Sequence, residues 1–96
     1  MNRLAAFEAE LREEIAGSFG RVAEKLEREI RAVRRLAGEH AQAAPELRPA
    51  LAREHAAARA RAKLYLWYLQ VQREAIGLYD HRRLFESYVI PSAIAR

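Results

Sequence analysis

The sequence predicts an all-α protein: a long antiparallel two-helix hairpin, a short C-terminal helix and an extended apolar tail, dimerising into a four-helix bundle. Three observations predict it. Apolar residues recur at steps of three and four along two long stretches, which is the helical period. Glycine and proline, which interrupt helices, number only four and three among 96 residues. The balance of 51% hydrophobic and 31% charged residues suits a chain that buries a core and solvates its outer faces. At 11.0 kDa this is one domain, residues 1–96. Its core is thin, because a domain of this size hides only about 60–70% of the surface of its unfolded chain.

The first helix is expected over residues 2–40. Its apolar positions are Leu4, Phe7, Leu11, Ile15, Phe19, Val22, Leu26, Ile30 and Val33. A strict heptad fails at Ser18 and Lys25, whereas an eleven-residue step joins Leu4, Ile15, Leu26 and Ala37. That period, near 3.67 residues per turn, belongs to a nearly straight helix. Glu8 with Arg12, Glu24 with Arg28 and Glu27 with Arg31 stand in the favourable acid-first i,i+4 order, each worth about 0.2–0.5 kcal/mol. The weak point is Gly17-Ser18-Phe19-Gly20, where each glycine costs about 1 kcal/mol relative to alanine. The undisturbed apolar phase from Ile15 to Leu26 predicts continuity through it. The helix should end near Gly38 or a turn later, with Arg34 and Arg35 complementing its dipole and Pro45 closing the connection.

The second helix is expected over residues 46–79. Its main stripe reads Leu51, His55, Ala58, Ala62, Tyr65, Leu69, Gln72, Ile76 and Tyr79. From Leu64 a further stripe runs beside it through Tyr68, Val71, Ala75 and Leu78, so the apolar arc is narrow and alanine-rich at first and broad and aromatic later. A broad arc calls for more than one covering neighbour. A fold-back around residues 41–44 sets Gly17 and Gly20 against Leu66 to Leu69, where the absent side chains make room for Trp67 or Tyr68.

After Gly77, Asp80 is placed to cap a short helix over residues 81–88, with Leu84, Phe85 and Tyr88 on its apolar edge. Pro91 forbids continuation. The apolar tail, residues 89–96, is either the cover for the broad arc or a docking peptide that inserts into another protein.

Composition excludes several chemistries. There is no cysteine, hence no disulfide, thiolate nucleophile or Cys-ligated metal. The first residues turn acidic without an apolar core, so no secretory leader is expected, and the apolar run Leu64 to Leu69 is too short for a bilayer span. A cytoplasmic location is expected. Carboxylate-bridged metal sites in bundles pair Glu and His three residues apart, yet Glu39-His40 and Glu54-His55 are adjacent and diverge around the helix. Neither a nucleophile–base pair nor a phosphate loop is evident, and no cofactor or metal is expected.

The expected function is therefore non-catalytic: a small helical scaffold or adaptor that self-associates as a homodimer and presents a helical surface to another protein. Trp and Tyr are the usual anchors of protein contacts, and Trp67 lies off both stripes. The expected contact surface is Leu66, Trp67, Tyr68 and Gln70, with Phe85 and Tyr88 behind it. The alternative is a nucleic-acid accessory protein. Residues 1–40 hold eight basic and eight acidic groups, residues 41–96 nine and five, so the whole +4 lies in the second part. Arg48, Arg53, Arg59, Arg61 and Lys63 crowd the start of the second helix, where they could neutralise phosphates. A further alternative is a small all-helical enzyme or ligand carrier with a polar pocket at His55 and Gln72.

Overall fold

A computed structural model describes residues 2–95. Met1 and Arg96, the last residue of the tail, lie outside the described residues. The chain forms α1 (Arg3–Gln42), a 3-10 turn (Pro45–Leu47), α2 (Arg48–Ala75) and α3 (Arg82–Ser87), followed by an extended tail. Helices α1 and α2 pack against each other as an all-α hairpin. The described chain measures 66 × 21 × 15 Å and has a radius of gyration of 18.0 Å. A compact domain of similar length would have about 13 Å.

Asn2 caps α1, its side-chain oxygen accepting the Leu4 N–H at 3.0 Å, a contact typically worth about 1 kcal/mol. The helix runs unbroken through Gly17 and Gly20. Neither glycine makes room for an aromatic ring: both are exposed, and a Cβ on Gly20 would meet nothing within 4 Å. The expected small-against-large fit with Trp67 or Tyr68 is thus absent. The hairpin turns later than residues 41–44, through the proline-initiated turn at 45–47. Each α1 residue therefore meets one further along α2, Ser18 facing Gln72 and Glu29 facing Arg61.

None of the three acid-first pairs on α1 is closed; the i,i+4 ion pair seen is Arg35 with Glu39 at 2.9 Å. Gains of a few tenths of a kcal/mol do not outweigh the freedom of long exposed side chains.

The core has two parts. Val33, Leu36 and Ala58 pack near the turn, supported by Leu51. Further along, Leu26, Ile30, Ala62, Leu69 and Leu84 form the larger cluster, with Val22, Tyr65, Leu66, Tyr88 and Ile90 around it. The alanine-rich half permits close helix approach, and the Leu- and Tyr-bearing half is wide enough to take α3 as a third element.

Helix α2 ends at Ala75, four residues before the expected Tyr79. The cause is a Schellman closure: the Leu78 N–H reaches the Arg73 carbonyl at 2.9 Å, the Gly77 N–H reaches the Glu74 carbonyl at 3.0 Å, and Gly77 sits at φ +86°. A side chain there would be strained, which fixes the stop at glycine. Helix α3 is shorter than 81–88, and His81 rather than Asp80 occupies its N-cap. Asp80 contributes one residue earlier, accepting the Arg82 N–H at 3.1 Å.

Candidate functional site

The broad arc expected on α2 is in fact two faces. Residues two apart on a helix diverge by about 200°, so Leu64 points away from Ala62. His55, Ala58, Ala62 and Leu69 are buried. Leu64, Trp67, Tyr68 and Val71 are instead 45%, 52%, 40% and 42% exposed. The tail does not cover them. It runs along a flank of α2, where Ile90 packs on the core and the Pro91 carbonyl accepts the Arg59 Nε–H at 2.8 Å. Residues 64–71 are therefore apolar around nearly the whole helix, the pattern of a helix with neighbours on every side.

The expected contact residues divide between surface and interior. Trp67 and Tyr68 are exposed and tilted against each other, their ring centroids 5.4 Å apart. Phe85 is exposed on α3 beside the His81 ring. Leu66 and Tyr88 pack on the larger core cluster, and half-buried Gln70 donates to the Leu66 carbonyl at 3.4 Å. The Tyr88 hydroxyl donates a long 3.5 Å bond to Glu27. Burial first, then the Glu27 charge, raises the phenol above its usual range.

The five basic residues do not share a face. Arg48 donates to the Ala43 carbonyl, Arg59 to Pro91, and Arg61 lies 3.0 Å from the Glu29 carboxylate. That last contact lacks hydrogen-bond alignment, leaving Glu29 Oε2 without a true donor. Arg53 is exposed elsewhere on the helix, and Lys63 joins Arg59 at a cleft.

This cleft opens between α2, the end of α1 and the tail. Its volume is about 550 Å³, and its wall includes His40, His55, Arg59, Lys63, Ala56 and Ile94. His55 is 2% exposed, and its Nε2 has no hydrogen-bond partner. Burial first, then the charges of Arg59 and His40, hold the imidazole below its usual pKa. Gln72 is not part of this cleft. It lies roughly 25 Å further along α2 by helical rise, lining an apolar notch with Ile15, Phe19 and Ile76. There its Nε2 donates to Ser18 Oγ at 2.8 Å, while its Oε1 is buried without a partner. The expected pocket combining His55 and Gln72 does not form.

The chain matches no protein-family model, no curated protein and no solved structure. Among the described residues no three His, Cys, Asp or Glu side chains are grouped to hold a metal ion, and no helix is long and apolar enough to cross a membrane.

A polar knot at the end of α2 was not anticipated from the sequence. Arg73 donates from Nε to His81 Nδ1 at 3.2 Å and from a terminal nitrogen to the Asp80 carbonyl at 2.8 Å. His81 Nε2 then faces Glu74 Oε1 at 3.0 Å. Because Nδ1 accepts, Nε2 carries the proton and donates to the carboxylate. Arg82 grips Asp80 in a forked pair, which lowers the Asp80 carboxyl below its usual range. The knot ties α3 to the end of α2. Its only sequence signal was Gly77, which marks a chain reversal that brings residues 80–82 back beside Arg73 and Glu74.

Proposed function

We propose that the protein is a non-catalytic helical scaffold that self-associates through the outward face of α2 and offers the free end of α1 to a protein partner. The observation carrying this reading is the exposed line Leu64, Trp67, Tyr68 and Val71. Its spacing, i, i+3, i+4, i+7, reads the same in both directions. An antiparallel second copy therefore sets Leu64 against Val71 and Trp67 against Tyr68, and extends the match to Ala60 against Ala75. No charged residue falls on the line, so the twofold axis brings no like charges together. Antiparallel α2 helices also oppose their dipoles favourably. A symmetric dimer through one repeated patch is the commonest closed assembly.

The first turns of α1 support the adaptor half. Beyond the end of α2, Leu4, Phe7 and Leu11 are 62%, 61% and 44% exposed. They form one stripe flanked by Glu8, Glu10, Glu13 and Glu14. An amphipathic helix of this kind suits an apolar groove with a basic rim.

Among the described residues, the lining of the His55 cleft supplies no hydroxyl nucleophile and no carboxylate to orient an imidazole, which fits a non-catalytic reading. Arg53 and Arg61 lie on other faces of α2 than Arg48, Arg59 and Lys63, and Arg48, Arg59 and Arg61 each engage a separate partner within the chain, which gives the nucleic-acid alternative no continuous phosphate track.

Equilibrium sedimentation of the full chain and of Val71→Glu tests self-association. The expected outcome is a dimer, twice 11.0 kDa, reduced to a monomer of undiminished helicity by the substitution.

A further inference from the structure

We infer that the cleft between α2, the end of α1 and the C-terminal tail binds a small oxyanion, a carboxylate or phosphate group, held by His40, His55 and Arg59 with Lys63 at its rim. Four nitrogen-bearing side chains converge on one cavity, and no carboxylate is among the described residues that line it. Such an arrangement is electrostatically incomplete. Arg59 and Lys63 bring two positive charges to a partly desolvated space beside the two imidazoles, and an anion is the group that relieves them.

The orphaned histidine points the same way. A buried polar atom without a partner is uncommon in a folded protein and calls for a ligand, an ion or water. His55 Nε2 is such an atom, on a side chain 2% exposed in the wall of the cleft. Arg59 and His40 both act electrostatically on its imidazole. Arg59 uses its Nε–H on the Pro91 carbonyl, an anchor that fixes the guanidinium plane and leaves its terminal N–H groups for a ligand. Arg59 is thus both the strap that holds the tail and an oxyanion donor.

The remaining wall is apolar and small: Ala52, Ala56, Ala60, Ala93 and Ile94. At about 550 Å³ the cavity falls within the range of small-molecule sites. The apolar wall suits an anion carried on a short hydrocarbon, whereas the cationic groups alone suit inorganic phosphate. The cleft shares only Ala60 with the proposed dimer face, and its cationic groups lie outside that face, so this inference does not depend on self-association.

The test is a titration of the full chain with inorganic phosphate and, separately, with octanoate, following the histidine ring resonances at constant ionic strength against sodium chloride. Saturable shifts of His40 and His55 with at least one probe, and none with chloride, are expected. Arg59→Gln is expected to weaken that binding about tenfold, the loss of one charge-assisted contact. His40→Gln, at the end of α1 and without a hydrogen bond to the tail, is expected to weaken it without altering the helical signal, and so keeps the test decisive if Arg59→Gln loosens the tail. Tighter binding of octanoate would assign the apolar wall a role, and tighter binding of phosphate the cationic cluster alone. The inference is overturned if neither probe saturates up to about 10 mM, or if both variants bind as the parent does.

Discussion

Single residues set the local terms of stability here, and two of them make clean predictions. Gly20 is exposed in the middle of α1, and a Cβ there meets nothing within 4 Å. Gly20→Ala should therefore remove a backbone-entropy penalty without any compensating clash. The expected gain is about 1 kcal/mol, or a melting temperature higher by about 4–8 °C. A fall in melting temperature would mean that the glycine serves a contact not seen in the hairpin. His55 makes the second. Its pKa is lowered in the folded state, so below its ordinary value of 6.5 the unfolded chain binds more protons than the folded one. Stability should thus decline as pH falls from 6.5 toward the depressed folded pKa. Replacing His55 with glutamine should flatten that part of the profile, as chemical denaturation at about pH 7 and about pH 5 would show. A bound oxyanion would oppose the trend by favouring the charged imidazole, so the comparison belongs in chloride buffer.

At the scale of elements, sequence and structure part at particular residues. The apolar period of α1 was legible because its phase runs on through two glycines, and the alanine-rich and aromatic halves of the core followed from Ala58 and Ala62 against Tyr65 and Leu69. What could not be read was register. Pro45 marks the close of the turn, but its 3-10 turn moves the reversal past residues 41–44, and no pairing expected across the hairpin survives that shift. The end of α2 was misplaced because Ile76 and Tyr79 continue the helical spacing. Periodicity does not register that Gly77 adopts a left-handed conformation. Spacing alone places the second stripe from Leu64 beside the first, whereas the angle between successive α2 residues carries it to the opposite face. Of the candidate contact residues, Trp67 and Tyr68 were identified from their side-chain chemistry and are exposed. Leu66 and Tyr88 turn inward because α3 and Ile90 supply a core that the two long helices lack.

The tail offers a test at this scale. Ile90 packs on the larger cluster, and Pro91 receives Arg59. Deleting residues 89–96 should remove about 2 kcal/mol of packing and hydrogen bonding. Thermal denaturation should then show a melting temperature lower by about 10 °C. An unchanged value would return the tail to the role of a docking peptide.

For the whole molecule the governing quantity is apolar surface left without a neighbour. A hairpin 66 Å long and 15 Å thin buries one face of each helix, and α3 with the tail adds cover along one flank of the hairpin. Among the apolar surfaces left open are the stripe on the first turns of α1 and the line from Leu64 to Val71. The second is the more informative, because it lies on a segment apolar around nearly the whole helix and its residue order is its own complement under an antiparallel twofold. Association through it would give a flat arrangement of four helices, with an α1 end projecting at each extremity. That geometry suits a scaffold that joins two partners at a fixed separation.

The most direct test is the solution mass of the full chain beside that of Val71→Glu, by sedimentation equilibrium at micromolar concentration. Self-association through α2 predicts twice 11.0 kDa for the parent and 11.0 kDa for the variant, with equal helicity in both. A parent chain that sediments as a monomer at 11.0 kDa, or a Val71→Glu chain that remains dimeric, would contradict it.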